Sequence, residues 1–334
     1  MVDPAVILEI LERIAAVPAG STVTVPLGPG GHDEATHTLS AWCARTGNEL
    51  VGIRDGAVTV RRGRAPDPLA GVEDGRLPGT RLWMYTNFDC NLACDYCCAR
   101  SSPQTARRAL GIDRIRRLAA EAVESGVSEL ILTGGEPFLL PDLDELVAVC
   151  TAALPTTLLT NGMLFRGHRL ERLRRMDRTR LTLQISLDST TPEVHDSHRG
   201  KGSWERAVAG IRIAQDEGFR VRVAATLPAA QTHELEPFHK YLDSLGIDPV
   251  DQVIRALAHR GNADTGIELT VESLVPEVTV TAEGVYWHPI GADDTDQLVT
   301  AEIFPLATAI DEVRRRFADQ RARADAASQW FPCA

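Results

Sequence analysis

The stretch Phe88-Asp89-Cys90-Asn91-Leu92-Ala93-Cys94-Asp95-Tyr96-Cys97-Cys98 places four of the chain's seven cysteines within nine residues. It follows RLWMYTN (81–87), a largely apolar run that predicts a β-strand. Neither a helix nor a strand turns three sulfurs toward one point, so we expect a loop. The spacing C-x3-C-x2-C suits a cubane iron–sulfur cluster whose fourth iron stays open to a small molecule. A structural zinc site with Cys98 as a fourth ligand is the alternative that this spacing leaves open.

Outward from this loop, the sequence alternates between strand and helix patterns. The mainly apolar strands are typical of a parallel sheet that is covered on both faces. This pattern predicts an α/β fold with a partial (βα)6 TIM-like barrel at 80–264, whose chemistry should lie at the carboxyl ends of the strands. The expected strands are 81–87, 128–133, 155–160, 181–187, 219–226 and 250–256, and the expected helices are 110–125, 142–152, 166–176, 203–217 and 232–245.

Two further regions flank the predicted barrel. Residues 1–64 show the order α-β-α-β-β, with Asp55-Gly56 as a hairpin turn, and predict a small α+β two-layer domain. Residues 65–79 are dense in proline and glycine and predict a linker. We expect residues 265–334 to form a C-terminal cap over the barrel mouth.

Composition and charge exclude several classes of function. The chain has 334 residues and a formal net charge of −11, which argues against a nucleic-acid partner. No run approaches the roughly 20 apolar residues of a membrane helix. The first residues lack the apolar core of a secretory signal, so we expect a cytoplasmic protein without a membrane partner. Clustered cysteines in such a protein indicate metal or cluster ligation rather than disulfides.

Polar motifs follow several of the predicted strands. Thr133-Gly134-Gly135-Glu136-Pro137 ends the second strand, and glycines there allow a close approach to exposed backbone. Ser186 and Asp188 end the fourth strand, where polar residues fit poorly as core. The stretch HDSHRG (195–200) follows, and Thr226-Leu227 ends the fifth strand.

The C-x3-C-x-aromatic-C spacing, the GGEP string and the HDxxRG-type stretch, in this order, resemble the radical S-adenosylmethionine (SAM) superfamily and, within it, the SPASM group. The resemblance implies that Cys90, Cys94 and Cys97 hold a [4Fe–4S] cluster and that SAM binds its open iron. It implies that the GGEP string binds the methionine amino group and that the Tyr96 and Leu227 backbones lie near the adenine. The SAM-binding residues it implies are Tyr96, Gly134, Gly135, Glu136, Pro137, Ser186, Asp188, Arg199 and Leu227, with Arg199 pairing with the SAM carboxylate.

The resemblance also implies an activity: reductive cleavage of SAM to a 5′-deoxyadenosyl radical, which abstracts hydrogen from a peptide or small-metabolite substrate. A low-potential donor of the flavodoxin or ferredoxin type would supply the electron. The SPASM-like hairpin at 278–289 lacks its cysteine, and Cys333 is the only cysteine beyond residue 150, so we expect one cluster. Catalytic residues stay unknown, with Cys333 and His288 as candidates. A non-catalytic iron–sulfur or zinc scaffold is the alternative, although a scaffold needs no SAM pocket.

The N-terminal region resembles the TusA-like sulfur-carrier family in its order of elements and in the stretch AWCARTGNELVGI. That family's Cys-Pro-x-Pro motif corresponds to Val2-Asp3-Pro4-Ala5, so the persulfide-carrying cysteine is missing. We therefore expect a docking or packing module, with Cys43 as a small core residue.

Overall fold

The computed structural model describes residues 4–18, 20–27, 32–45, 47–63, 72, 74–227 and 235–330. The chain divides into two compact units. One unit comprises Met1–Val72 and Arg316–Ala334, and the other comprises Glu73–Arg315.

The first unit has the predicted order of helices and strands. Its three-stranded antiparallel sheet has the order β1-β3-β2. Asp55 and Gly56 join β2 to β3 with φ angles of 51° and 72°, as the expected tight hairpin turn requires. One apolar cluster, which includes Leu39 and Cys43, forms its core. Its elements are α1 (Pro4–Ala15), β1 (Thr22–Pro26), α2 (His32–Arg45), β2 (Glu49–Arg54) and β3 (Ala57–Arg61).

The second unit contains a nine-stranded sheet with the order β12-β11-β10-β4-β5-β6-β7-β8-β9. Strands β4 to β9 are parallel, and each pairs with the next strand in sequence. Apolar side chains on both faces keep most residues of β4 to β8 buried, whereas β9 is more exposed, and this parallel sheet confirms the predicted α/β barrel architecture. The strands are β4 (Arg81–Tyr85), β5 (Glu129–Thr133), β6 (Thr156–Thr160), β7 (Leu181–Ser186), β8 (Arg220–Leu227), β9 (Gln252–Ala256), β10 (Thr279–Val280), β11 (Val285–Tyr286) and β12 (Leu298–Thr300).

Helices connect the parallel strands. On α3, for example, Ile115, Leu118 and Ala122 are buried at helical spacing. One helix, α6, was not predicted, because its sequence PEVHDSHR carries almost no apolar periodicity. The helices are α3 (Ile112–Glu124), α4 (Leu143–Ala153), α5 (His168–Arg175), α6 (Pro192–Arg199), α7 (Ser203–Asp216), α8 (Leu235–Ser244) and α9 (Leu306–Trp330).

The C-terminal region 265–334, expected to form a cap over the barrel mouth, also contributes strands to the barrel sheet. Strand β10 pairs in parallel with β4, so the hairpin of β10 and β11 continues the barrel sheet. The division of the chain also splits the predicted region 265–334 at Arg315/Arg316. Strands of two or three residues carry too little periodicity to reveal this pairing in advance.

Candidate active site

A cavity of about 460 Å³ lies where the parallel strands end. Its wall is built from the loop after β4 and from the residues at or just after the carboxyl ends of β5 to β9. Such placement is the rule for parallel barrels, because their loops converge at this edge. The wall includes Cys90, Cys94, Cys97, Cys98, Gly134, Gly135, Thr160, Asn161, Ser186, Arg199, Thr226, Arg255 and Leu257.

The three predicted cluster ligands share this wall, and backbone groups hold the sulfurs of two of them. The Leu92 N–H donates to Cys90 Sγ at 3.4 Å, and the Ser101 N–H donates to Cys97 Sγ at the same distance. Hydrogen bonds of this kind stabilise a cluster thiolate and tune its potential. Cys98 also lines the cavity, beside the Tyr85 hydroxyl.

Burial favours the protonated thiols of Cys90 and Cys94. It raises the pKa of Cys90 to about 12, with a further contribution from the Glu136 carboxylate. It also raises the pKa of Cys94 to about 11, against the effect of the nearby Arg199 guanidinium. Iron binding must therefore displace these protons.

Within the described residues, no three histidine, cysteine, aspartate or glutamate side chains converge on a point that would hold a single metal ion. A cubane cluster does not require such convergence, because each of its cysteines binds a different iron. Three thiols on one cavity wall, two of them with N–H donors, form a donor set that fits such a cluster.

The Gly-Gly-Glu-Pro loop packs directly against the cysteine loop. Gly135 N–H donates to Asn87 O at 3.0 Å, and Glu136 N–H donates to Asp89 O at 2.9 Å. A Cβ atom on Gly134 or Gly135 would overlap with the backbone of residues 87–89. The glycines are therefore required for this loop-to-loop contact as well as for the open backbone that faces the cavity.

Glu136 has a structural position that the sequence did not indicate. Its carboxylate is fully buried and accepts hydrogen bonds from Phe138 N, Thr160 Oγ1 and Asn161 N at 2.8–3.0 Å. Burial raises its pKa, against the effect of these three donors. The side chain thus ties the loop after β5 to the loop after β6, and Pro137 is buried beside it.

Asp188 joins the cysteine loop to α6 and β8. It accepts a hydrogen bond from the Tyr96 hydroxyl, from Arg199 Nε at 2.5 Å and from Thr226 N at 3.0 Å. Burial alone would raise the pKa of Asp188, but the Arg199 charge and these hydrogen bonds outweigh it and lower the pKa. The Arg199 guanidinium lies over the Tyr96 ring, 5.4 Å from its centroid.

His195 lies behind this cluster. Its Nδ1 accepts the Asp188 N–H at 3.1 Å, so the ring is neutral and carries its proton on Nε2. Burial lowers the pKa of His195 to about 4, although Asp188 acts in the opposite direction. His195 Nδ1 lies 3.9 Å from the Asp188 carboxylate, but the two side chains therefore do not form an ion pair at neutral pH.

The far side of the cysteine loop contacts the segment after β9. Asn262 N–H donates to Cys97 O at 3.0 Å. Gly261 has a φ of +67°, and a Cβ atom there would overlap with Cys97 O. The cysteine loop is thus held between two glycine contacts, one from the loop after β5 and one from this segment.

Most of the residues that build this cavity lie in a region that is similar to known proteins. The profile of the radical SAM superfamily matches residues 84–245, which include the cysteine loop, the glycine loop, Asp188 and Arg199. Residues 84–245 form a radical SAM domain. The prediction made from the cysteine spacing is confirmed for this domain, and the superfamily uses the expected cofactors, a [4Fe–4S] cluster and SAM.

The curated relatives match this chain over only part of their own lengths. AlbA, the antilisterial bacteriocin subtilosin biosynthesis protein of Bacillus subtilis (strain 168), is 35% identical over 159 residues, which are 47% of this chain and 35% of AlbA. The AdoMet-dependent heme synthase of Methanosarcina barkeri (strain Fusaro / DSM 804) is 32% identical over 171 residues, 51% of this chain and 48% of the synthase. The chain thus spans half or less of these relatives.

Solved structures share the fold. The structure of anSMEcpe with bound AdoMet has a TM-score of 0.55 at 12% identity and covers 71% of this chain and 82% of that one. The structure of anSMEcpe with bound AdoMet and Cp18Cys peptide has a TM-score of 0.53 at 13% identity, with 71% and 81% covered. No helix among the described residues is long and apolar enough to cross a membrane.

The predicted SAM-binding residues fall into two groups, those that line the cavity and those that do not. Tyr96, Gly134, Gly135, Ser186 and Arg199 line the cavity with the three cysteines. The cavity wall described above does not include Glu136, Pro137, Asp188 or Leu227, which are buried beside it.

The two candidate catalytic residues lie elsewhere. His288 Nδ1 accepts the Ile290 N–H at 3.2 Å and so caps the short helix Pro289–Gly291. Among the residues after β11, the cavity wall includes Ile290 and not His288. Cys333 lies outside the described residues.

Sequence reasoning missed several residues of the cavity wall. Thr160-Asn161-Gly162 reads as an ordinary turn, but Thr160 and Asn161 line the cavity, and Asn161 Nδ2 donates to Asn91 Oδ1 at 2.8 Å. Arg255 ends β9 and also lines it. Their position after a parallel strand was the only available signal.

Proposed function

We propose that this protein is a radical SAM enzyme that cleaves SAM at a [4Fe–4S] cluster and abstracts hydrogen from a peptide or small-metabolite substrate. One observation carries the proposal: the thiols of Cys90, Cys94 and Cys97 share a single cavity with the Gly134-Gly135 backbone and the Arg199 guanidinium. A scaffold that only stored iron or zinc would not need these SAM-binding features beside its cysteines.

Cys90, Cys94 and Cys97 would hold the cluster. When bound and reduced, the cluster supplies the electron that cleaves SAM into methionine and a 5′-deoxyadenosyl radical, which takes a hydrogen atom from the substrate. The protein would bind and orient SAM and the substrate and would exclude water, because the radical chemistry is supplied by the cofactors.

The cavity wall supports the SAM contacts that the resemblance to radical SAM enzymes implies. Backbone carbonyls of Gly134 and Gly135 would accept from the ammonium group, and Arg199 would pair with the carboxylate, for which a guanidinium is well suited. Asp188 and Tyr96 hold the Arg199 side chain in place. The Tyr96, Thr226 and Leu227 backbones would lie beside the adenine, with Ser186 at the ribose or carboxylate. Glu136 and Asp188 would act as positioning residues.

The proposal includes both a peptide and a small metabolite as the substrate. Similarity to AlbA, a bacteriocin biosynthesis protein, and to anSMEcpe, whose structure holds a bound peptide, favours a peptide. Similarity to the heme synthase favours a small metabolite. A flavodoxin- or ferredoxin-type donor would supply the electron, and we propose that this chain holds one cluster.

We propose that the N-terminal unit is a TusA-like module that packs or docks and does not transfer sulfur. Cys43, the cysteine of its described residues, is buried in the core, and burial raises its pKa to about 11. A protonated, inaccessible thiol is a poor nucleophile.

The test of the function is the formation of 5′-deoxyadenosine. The protein is purified without oxygen, reconstituted with iron and sulfide, and given reductant and SAM, and the product is measured by chromatography. We expect product from the wild type and none from Cys97→Ala, which removes one cluster ligand.

Cys150→Ala is the matched control, because Cys150 is buried on α4 outside the cavity. It should retain iron and form the product. If the wild type assembles a full cluster but neither binds nor cleaves SAM, the scaffold interpretation replaces the proposed function.

A further inference from the structure

The cavity wall carries two charged side chains, and they differ in their partners. Arg199 is paired with Asp188. The side chain of Arg255, at the end of β9, makes no hydrogen bond or ion pair with any of the described residues. The charge of Arg255 is therefore available to a ligand, whereas that of Arg199 is largely compensated inside the protein.

The charge of Arg255 acts on the nearby Cys98 thiol and Tyr85 hydroxyl, and several apolar side chains share the cavity wall with it. Leu257, Ile267 and Leu269 line the same cavity, and Ile267 is 53% exposed. These residues belong to the segment after β9, which folds back on itself: Ile267 N–H donates to Leu257 O at 2.8 Å, and His259 N–H donates to Ile267 O at 3.0 Å. The apolar surface beside Arg255 is thus fixed in place by backbone hydrogen bonds.

Arg255 belongs to the exposed part of the cavity wall and pairs along the sheet with Thr226, whose backbone is proposed to lie beside the adenine. Arg255 is exposed, so water solvates its charge while the cavity is unfilled. A ligand that fills the cavity removes this water and must supply an acceptor, because an unpaired charge in an apolar site is strongly unfavourable. A neutral or cationic substrate group would leave the guanidinium without a partner.

We propose that Arg255 binds an anionic group, a carboxylate or a phosphate, of the substrate, whose adjoining apolar part packs on Leu257, Ile267 and Leu269. This inference rests on the proposed function, which assigns Arg199 and its side of the cavity to SAM. It narrows the substrate to a molecule or peptide with an acidic group next to an apolar segment.

Three simple probes test the charge requirement: octanoate, octyl phosphate and octanamide. Each is titrated against the reconstituted, SAM-bound protein by calorimetry and saturation-transfer NMR. We expect both acids to bind at least about tenfold more tightly than the amide, since a charge-assisted hydrogen bond contributes more than 1 kcal/mol. Whichever of octanoate and octyl phosphate binds more tightly indicates whether the natural group is a carboxylate or a phosphate.

Arg255→Gln should remove the preference for the acids while octanamide binding stays the same. Arg206→Gln is the matched control, because Arg206 is an exposed arginine of α7 outside the cavity wall. It should keep the preference.

Three outcomes overturn the inference: equal binding of octanoate and octanamide, a preference that survives in Arg255→Gln, or no binding of either acid. Displacement of SAM by octanoate also overturns it, because Arg255 would then serve SAM itself. Failure of the proposed function is distinct, since it appears as a wild type that assembles its cluster but does not bind SAM before any acid is added.

Discussion

At the scale of single residues, Asp188 connects more of the site than any ligand-binding group. Its carboxylate receives the Tyr96 hydroxyl from the cysteine loop, Arg199 from α6 and the Thr226 N–H from β8. The side chains of Asp188 and Arg199 are only 2% and 11% exposed. A buried pair of this kind stabilises its surroundings only while both charges are present.

Replacing Asp188 with asparagine should therefore affect both stability and ligand binding. Asp188→Asn leaves the buried Arg199 guanidinium unpaired, so we expect the free energy of unfolding to fall by about 3 kcal/mol. SAM affinity should fall at least about tenfold, because Arg199 and Tyr96 lose their fixed positions. Urea unfolding and equilibrium SAM binding measure the two effects.

Asp251→Asn provides the comparison for this variant. Asp251 is also buried and accepts from Arg220 at 2.8 Å, but it lies outside the cavity wall. It should lower stability and leave SAM affinity unchanged. Equal SAM affinities in the two variants would contradict the role given to Asp188.

The lowered pKa of His195 leads us to expect that the stability of the folded protein depends on pH. The unfolded chain takes up a proton on this histidine near pH 6.5, but burial keeps the ring neutral in the folded protein down to a pKa of about 4. Falling pH in this window therefore favours the unfolded state, with a loss of about 3 kcal/mol between pH 6.5 and 4. Asp188 acts separately, because its lowered pKa costs stability only below its ordinary value of 3.8.

His195→Gln tests this assignment, because the amide oxygen of glutamine can still accept the Asp188 N–H. Urea unfolding of both proteins across the acidic range should show a flatter profile for the variant between pH 6.5 and 4. A variant that loses stability as steeply as the wild type would show that another group causes the dependence.

At the scale of elements, the cysteine loop depends on its neighbours for its shape. The glycine loop after β5 contacts it through residues 87–89, and Gly261 contacts it at Cys97. Neither contact tolerates a side chain. The conformation of the cysteine loop therefore depends on these two close contacts.

Gly261→Ala should lower the amount of iron that the protein retains. The new Cβ would overlap with Cys97 O, and alanine is strained at a φ of +67°, so the cysteine loop must shift. Iron and sulfide content per chain after reconstitution, with the visible absorbance of the cluster, measures the effect.

Gly126→Ala is the control, since Gly126 has a φ of +76° but open space around its Cβ position. It should cost about 1 kcal/mol of stability from backbone strain and leave iron content unchanged. A Gly261→Ala protein with full iron content would refute the contact as a support of the loop.

The elements themselves were largely predictable. Strands such as 128–133 and 155–160 are apolar runs that end in polar residues, and the structure places β5 and β6 there. The short strands β10 to β12 were not predictable, because they form by pairing with distant strands. The polar helix α6 was not predictable, because its sequence carries almost no apolar periodicity.

At the scale of the whole molecule, ion pairs join the cysteine loop to the end of the sheet region. Arg100, just after the cysteines, donates to Asp294 at 2.7 Å, and Arg260 donates to the same carboxylate at 3.1 Å. Arg108 pairs with the neighbouring Asp293 at 2.8 Å. Three chain segments thus meet at two adjacent aspartates.

Asp294→Asn should make the cluster easier to extract. It removes the charge that holds Arg100 and Arg260 together, so we expect iron to leave severalfold faster when a chelator is added. The rate of absorbance loss measures this release.

Asp113→Asn is the control, because Asp113 pairs with Arg116 on the exposed face of α3. Its release rate should equal that of the wild type. An unchanged rate in Asp294→Asn would mean that the aspartate does not support the cysteine loop.

The site was only partly predictable at this scale. Cysteine spacing indicated the ligand loop, position after a strand indicated Gly134 and Ser186, and the resemblance of the HDSHRG stretch implied Arg199. The pairing of Arg199 with Asp188 and the unpaired state of Arg255 depend on how strands far apart in sequence are arranged in space. No local pattern contains that information.

The sheet order has a consequence for how the protein is made. Strand β4, which leads into the cysteine loop, lies between β5 and β10, and β10 begins only at Thr279. During synthesis β4 therefore stays an open sheet edge until most of the chain has left the ribosome. Asp293 and Asp294 follow later still. The cysteine loop thus gains its neighbouring strand and its ion-pair partners only long after the loop itself has been translated.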